Sequence, residues 1–143
     1  FNYVEKHCTP LYELINNNVE SSRKVFFVHG GTDVEDREEV RNLTETESNA
    51  IIVASYGTFS TGINIKRLHN IVFASPSKSR IRNLQSIGRV LRKGEGKDIA
   101  TLYDIADDIG GQNYTLKHLN ERVNIYNNEN FKYEVIRVNL RAN

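Results

Sequence analysis

The chain has 143 residues, 26% of them charged and 38% hydrophobic, with a formal net charge of +1 at pH 7. That is enough chain for one globular domain, it has neither a disordered nor a membrane-embedded composition, and its charge balance excludes attraction of nucleic acid by bulk charge, so any basic site must be local. No apolar run reaches the roughly 18 residues of a membrane span, no signal peptide opens the chain, and the single cysteine, Cys8, suits a reducing, cytoplasmic compartment.

The opening "FNYV" reads as the tail of a strand, and with no methionine anywhere the chain is expected to be a fragment of a longer protein. "CTPLYELINNN" then reads as a helix that runs into an asparagine-rich loop. "KVFFVHG" (Lys24 to Gly30) is the first apolar run. "TDVEDREEVRNLTETE" is helical, opened by Thr32 with Glu35 three residues on, a capping box. "AIIVAS" (Ala50 to Ser55) and "NIVFAS" (Asn70 to Ser75) are further strands, followed by a helix over Ser79 to Lys93 and a strand in "IATLYDIAD" (Ile99 to Asp107). A last helix near Tyr114 to Asn128 carries Leu116, Leu119, Val123 and Tyr126 on one side, and "FKYEVIRV" reads as a closing strand. Continuous apolarity in the strands predicts burial on both faces, as in a parallel sheet. Strands alternating with helices predict an α/β fold with right-handed crossovers, one domain over residues 1–143, without repeats.

The helix over Ser79 to Lys93 has a distinctive face. At about 100° per residue, Gln85, Gly88, Arg89 and Arg92 stand at i, i+3, i+4 and i+7. Leu84, Ile87, Val90 and Leu91 fall on the opposite side. The helix can dock on a sheet and still display two guanidiniums, an amide and a gap at Gly88. A solvated basic face explains most such helices. Two arginines aimed one way also suit a phosphoryl group, since guanidinium is always charged and offers forked donors.

"ASYGTFSTGINI" follows a strand directly, where ligands bind in open α/β sheets. Gly57 and Gly62 permit tight backbone there, Asn64 adds an amide, and Ser55, Thr58, Ser60 and Thr61 offer hydroxyls to phosphate oxygens. Taken alone, this is as well explained by an ordinary loop. "HGGTD" places Gly30 and Gly31 before the helix beginning near Thr32, and helix amides are suited to phosphate; a plain strand-to-helix turn is the alternative. His29 reads as a packing or capping residue rather than a base, and the acidic "DVEDREE" as a solvated face.

"STGIN" followed by "QSIGRVLRK" resembles motifs V and VI of superfamily 2 helicases, with the Gln-x-x-Gly-Arg-x-x-Arg spacing of motif VI. The likeness covers nearly the whole chain and is greatest to the recombination and repair DNA helicases of tailed phages. It implies a second, C-terminal RecA-like domain of the P-loop NTPase type, with a mostly parallel sheet flanked by helices. It makes Arg92 the finger on the γ-phosphate, Arg89 a second phosphate-directed arginine, and Gln85 the link between nucleotide state and domain closure. Gly62 and Asn64 match the end of motif V beside the nucleotide, as Gly88 does within motif VI. Asn64 stands where the family has aspartate, which removes a charge. The motif V hydroxyl on the nucleic-acid backbone is Ser55 or Thr58, because the loop runs one residue longer than the family's. Gly30, Gly31 and Thr32 match a further backbone contact.

No Gly-x-x-x-x-Gly-Lys-Ser/Thr loop occurs, and Asp107-Asp108 lacks one as partner, so it reads as structural. The chain thus carries half of an ATP site, with Mg²⁺ and the phosphate loop expected on an N-terminal RecA-like domain of the same protein. The resemblance implies action on branched DNA or RNA–DNA hybrids in repair, recombination and replication, in the host cytoplasm if phage-encoded. An RNA helicase domain and a catalytically inactive RecA-like module that binds a partner are the alternatives.

Overall fold

Four short runs of β-branched and aromatic residues form strands, all paired in parallel, in a computed structural model that describes residues 4–60, 68–75, 99–110 and 113–140. The chain divides into two compact units, Phe1–Ile105 and Ala106–Asn143.

The first unit begins with a π-helical turn, Val4–Cys8, that continues into α1, Thr9–Asn18. Val4 therefore belongs to a helical turn, not to the tail of a strand, and Thr9 Oγ1 donates back to its carbonyl at 3.2 Å. Pro10 sits in the first turn of α1, where its missing N–H costs nothing. At the other end Asn18 Nδ2 donates to the Leu14 carbonyl, so the asparagine run lies inside the helix. The Tyr12 ring stacks on Phe27 of β1, Val25–Val28, with centroids 5.3 Å apart. This contact seats α1 on the strand.

A helix, α2 (Val34–Thr46), crosses from β1 to β2, Ile51–Ala54. The two strands run in register from Val25↔Ile51 to Val28↔Ala54. Ile51 N–H donates to the Lys24 carbonyl at 2.9 Å and Ser55 N–H to the Val28 carbonyl at 3.2 Å, which extends the ladder beyond both ends. The start of the pair is fastened by Lys24 to Glu47 and Arg23 to Asn49. Both contacts are exposed, so they contribute little stability. A short helix, α3 (Tyr56–Ser60), follows β2 directly, and the Tyr56 ring lies 5.8 Å from that of Phe73. Phe73 ends β3, Asn70–Phe73, which pairs with β4, Thr101–Asp104.

Both pairs are parallel, as continuous apolarity predicts, but the described strands form two sheets of two strands each. Burial on both faces holds less well. Val72 and Tyr103 face each other in the register of β3 and β4 and are 56% and 53% exposed. The core of this unit is Cys8, Val28, Val53, Tyr56 and Phe73.

The second unit is built on α4, Tyr114–Asn128. Asn113 caps it: its side chain accepts from the N–H groups of Thr115 and Leu116 at 3.1 and 3.4 Å, the geometry for which asparagine is favoured. The Asp107 carbonyl accepts from Asn113 Nδ2 at 3.0 Å and from the Thr115 hydroxyl, so the Asp107-Asp108 segment serves to anchor the helix. The helix stops in a Schellman arrangement. Phe131 N–H donates to the Tyr126 carbonyl at 2.9 Å, Asn130 N–H to that of Asn127 at 3.1 Å, and Asn130 takes φ 57°. Phe131 and Tyr133 then contact the buried Tyr126 ring at 6.4 and 6.2 Å. Leu116, Leu119, Val123 and Tyr126 are half-buried or buried as the helical spacing predicts; Arg122, buried among the same turns, was not foreseen.

The segment "FKYEVIRV" is not a strand. It leaves the helix without a ladder partner among the described residues, and Val135, Ile136 and Val138 are exposed. Its β-branched residues favour an extended chain, but a strand also needs a neighbour to take its backbone hydrogen bonds.

Cys8 has no exposed surface, and burial pushes its thiol above the ordinary cysteine value. The folded chain therefore keeps the thiol proton at a pH where the unfolded chain has lost it. This contribution to stability is complete below about pH 8.5, the unfolded value, and is lost as pH rises through the folded one. Thermal melts between pH 8 and 10 should lose more stability in the wild type than in Cys8→Ala, and a thiol reagent should modify the native chain far more slowly than the urea-unfolded one.

Candidate nucleic-acid interface

The in-phase ending of β1 and β2 has a direct consequence for the predicted site. Val28 and Ala54 are register partners, so the loop 29–33 and the turn 55–58 leave neighbouring strands at the same, carboxyl end. Gly30, Gly31, Thr32, Ser55 and Thr58 come from two separate stretches of sequence, and the parallel pairing brings those stretches side by side. Ligands bind at this end of parallel strands because the loops there converge. Gly62, Asn64, Gln85, Gly88, Arg89, Arg92 and the helix over 79–93 lie outside the described residues.

The loop after β1 is ordered by its own hydrogen bonds. His29 N–H donates to Thr32 Oγ1 at 3.0 Å, and Thr32 N–H returns to the His29 carbonyl at 3.0 Å. Gly31 N–H donates to His29 Nδ1 at 3.1 Å. The His29 ring also lies tilted against Phe27, with centroids 5.1 Å apart. Of the packing or capping roles expected of this histidine, the contact with Phe27 bears out packing.

The capping box predicted at Thr32 and Glu35 does not form. The helix begins one residue later, with Asp33 at the N-cap and no side-chain cap bond. The physical reason is competition: the Thr32 oxygen is engaged by the His29 amide within the turn. In place of a cap, Arg37 reaches back, its Nε donating to the Thr32 carbonyl at 2.9 Å. Sequence reading missed this role, and the signal was weak, since Arg37 stands within a run of charges. Asp33, Glu35, Asp36, Glu38 and Glu39 are exposed, as a solvated acidic face should be.

The turn after β2 is drier. Ser55 and Thr58 are 7% and 2% exposed, and their hydroxyl oxygens lie 2.9 Å apart. Ser55 stands just before α3 and Thr58 is its third residue, so the pair closes the first turn of the helix. Buried hydroxyls need partners, and here the Ser55 and Thr58 hydroxyls bond each other.

Residues 2–94 match the family of the helicase conserved C-terminal domain. The chain belongs to this family. It is similar to the ATP-dependent DNA helicase uvsW of Enterobacteria phage T4, with 42% identity over 94% of this chain and 29% of the relative. It is also similar to proteins bearing the names ATP-dependent RNA helicase L396, from Acanthamoeba polyphaga mimivirus, and ATP-dependent RNA helicase QP509L, from African swine fever virus. Both are 32% identical, over 71% of this chain and 18% of the relative in the first case, and 47% and 13% in the second. The chain thus spans under a third of the length of these relatives. No solved structure matches it. Among the described residues no helix is long and apolar enough to cross a membrane.

The Ser55–Thr58 pair is open to direct measurement. Ser55→Ala removes this hydrogen bond from the Thr58 hydroxyl and should cost about 0.5–1.5 kcal/mol, read from urea unfolding. The double variant Ser55→Ala/Thr58→Val, which removes both hydroxyls, should cost less than the sum of the two single changes.

Proposed function

We propose that residues 1–143 form the C-terminal RecA-like motor domain of an ATP-dependent superfamily 2 DNA helicase that acts on branched DNA or RNA–DNA hybrids in repair and recombination. The observation that carries this reading is the family match together with 42% identity to a phage DNA helicase along nearly the whole chain. The parallel pairing of β1 with β2 supports a RecA-like sheet, and an N-terminal RecA-like domain of the same protein would complete it as a motor.

The residues assigned to the nucleotide are Arg92, Arg89 and Gln85, with Gly62, Asn64 and Gly88 beside it. Two guanidiniums and an amide at the sequence spacing of one helical face would be a donor set that fits phosphate oxygens. ATP with Mg²⁺, when bound, supplies the free energy of phosphoryl transfer. This chain's part is to bring positive charge to the γ-phosphate through Arg92 and to couple its arrival to domain closure through Gln85. At the end of β1 and β2, the turn of Gly30, Gly31 and Thr32 is the neutral contact to a nucleic-acid backbone, and Ser55 or Thr58 is the motif V hydroxyl. Such contacts are independent of base sequence.

The names of the two viral relatives favour a second reading, an RNA helicase. Competition among DNA, RNA and hybrid duplexes for the full-length protein separates the two: preferential unwinding of RNA duplexes would replace the DNA reading.

Residues 1–143 alone should hydrolyse no ATP above background, because the phosphate loop is missing from the chain. DNA-stimulated turnover by the purified fragment would overturn the half-site. In the full-length protein, Arg92→Ala should lower DNA-stimulated hydrolysis by about 10³-fold or more, the scale of an arginine finger. Lysine should rescue poorly for want of the planar fork. DNA affinity without nucleotide and the melting temperature should stay near those of the wild type. A surface arginine would tolerate alanine in the hydrolysis assay.

A further inference from the structure

The two glycines after β1 are not equivalent. A Cβ added to Gly30 would meet nothing within 4 Å, whereas one on Gly31 would stand 3.1 Å from His29 Cε1 and 3.3 Å from Nδ1. The same ring accepts the Gly31 N–H at 3.1 Å. Gly31 therefore faces the His29 ring, and its amide is already used. We propose that His29 is a positioning residue: by accepting the Gly31 amide it fixes the turn so that the Gly30 N–H and the Thr32 hydroxyl are the donors offered to a nucleic-acid phosphate. This rests on the reading of residues 30–32 as a backbone contact, and narrows it to two of the three.

The chemistry of the turn supports the division. To accept from Gly31, Nδ1 must carry a lone pair, so the ring proton sits on Nε2. The Thr32 oxygen accepts from the His29 amide, which leaves the hydroxyl's own proton to point elsewhere. Two carbonyls of the turn are occupied, that of His29 by Thr32 N–H and that of Thr32 by Arg37 Nε. Asp33, Glu35 and Asp36 lie on the next turn and oppose an anion, so the contact is confined to the glycine side and contributes modestly.

Packing and positioning make opposite demands on the ring, and two substitutions separate them. His29→Phe keeps a ring to lie on Phe27 but has no acceptor; His29→Asn keeps an acceptor and loses the ring. The measurement is fluorescence anisotropy of a labelled single-stranded DNA oligonucleotide with the full-length protein, alongside thermal melting. Positioning predicts that His29→Phe weakens binding about five-fold, the scale of one net hydrogen bond. It predicts that His29→Asn binds within two-fold of the wild type, though it melts lower. The reverse order, with His29→Phe binding like the wild type, overturns the proposal and leaves the histidine a packing residue. Gly30→Ala tests the underlying contact, since its methyl meets open space in the protein. If Gly30→Ala binds as tightly as the wild type, DNA does not approach the turn, and contact and positioning fall together. If it weakens binding while His29→Phe does not, only the positioning role is lost.

Discussion

The register of β1 against β2 is the constraint on which the rest of the candidate site depends. A parallel pair delivers both chains to the same end, and Val28↔Ala54 means that they finish level. A slip of one residue would turn every side chain to the other face. In β1 it would take the buried Val28 out of its packing, in β2 the buried Val53, and in either case it would break the bond from Ser55 N–H to the Val28 carbonyl. The hydrophobic cost of that slip holds the two loops in step. The position of the polar turns is thus fixed by apolar residues that never touch a ligand.

Within those turns, most polar groups are committed to the fold. His29, Gly31, Thr32 and Arg37 bond among themselves, and Ser55 and Thr58 bond each other. A buried hydroxyl or amide without a partner costs more than a satisfied one gains, so tight turns saturate first. Function must use what is left over. This is why identical residue types, two glycines or two hydroxyl residues, end up with different capacities for binding once the turn is folded.

The second unit shows the same economy in a helix. Asn113 closes one end of α4 and Asn130, in the left-handed region, closes the other. Tyr126 gathers Phe131 and Tyr133 as the chain turns away. Past those contacts nothing pairs with the backbone among the described residues, and the apolar residues that follow remain exposed.

Much of this was legible in the sequence. The β-branched runs at 25–28, 51–54, 70–73 and 101–104 mark strands, and the spacing of Leu116, Leu119, Val123 and Tyr126 gives α4 its bounds, because strand and helix identity follow from local propensity and period. Gln85, Gly88, Arg89 and Arg92, which lie outside the described residues, were singled out by their i, i+3, i+4 and i+7 spacing alone. What the sequence could not give is anything decided by competition between partners distant in the chain or close in a turn. Thr32 and Glu35 spell a capping box, yet the Thr32 oxygen goes to His29 and the helix starts later. "FKYEVIRV" spells a strand, yet a strand exists only where a neighbour accepts its hydrogen bonds. Gly30 and Gly31 look alike in sequence, and only the ring of His29 tells them apart. Local preference is written in residue order; which of two satisfied arrangements a polar group adopts is set by what tertiary structure places within reach.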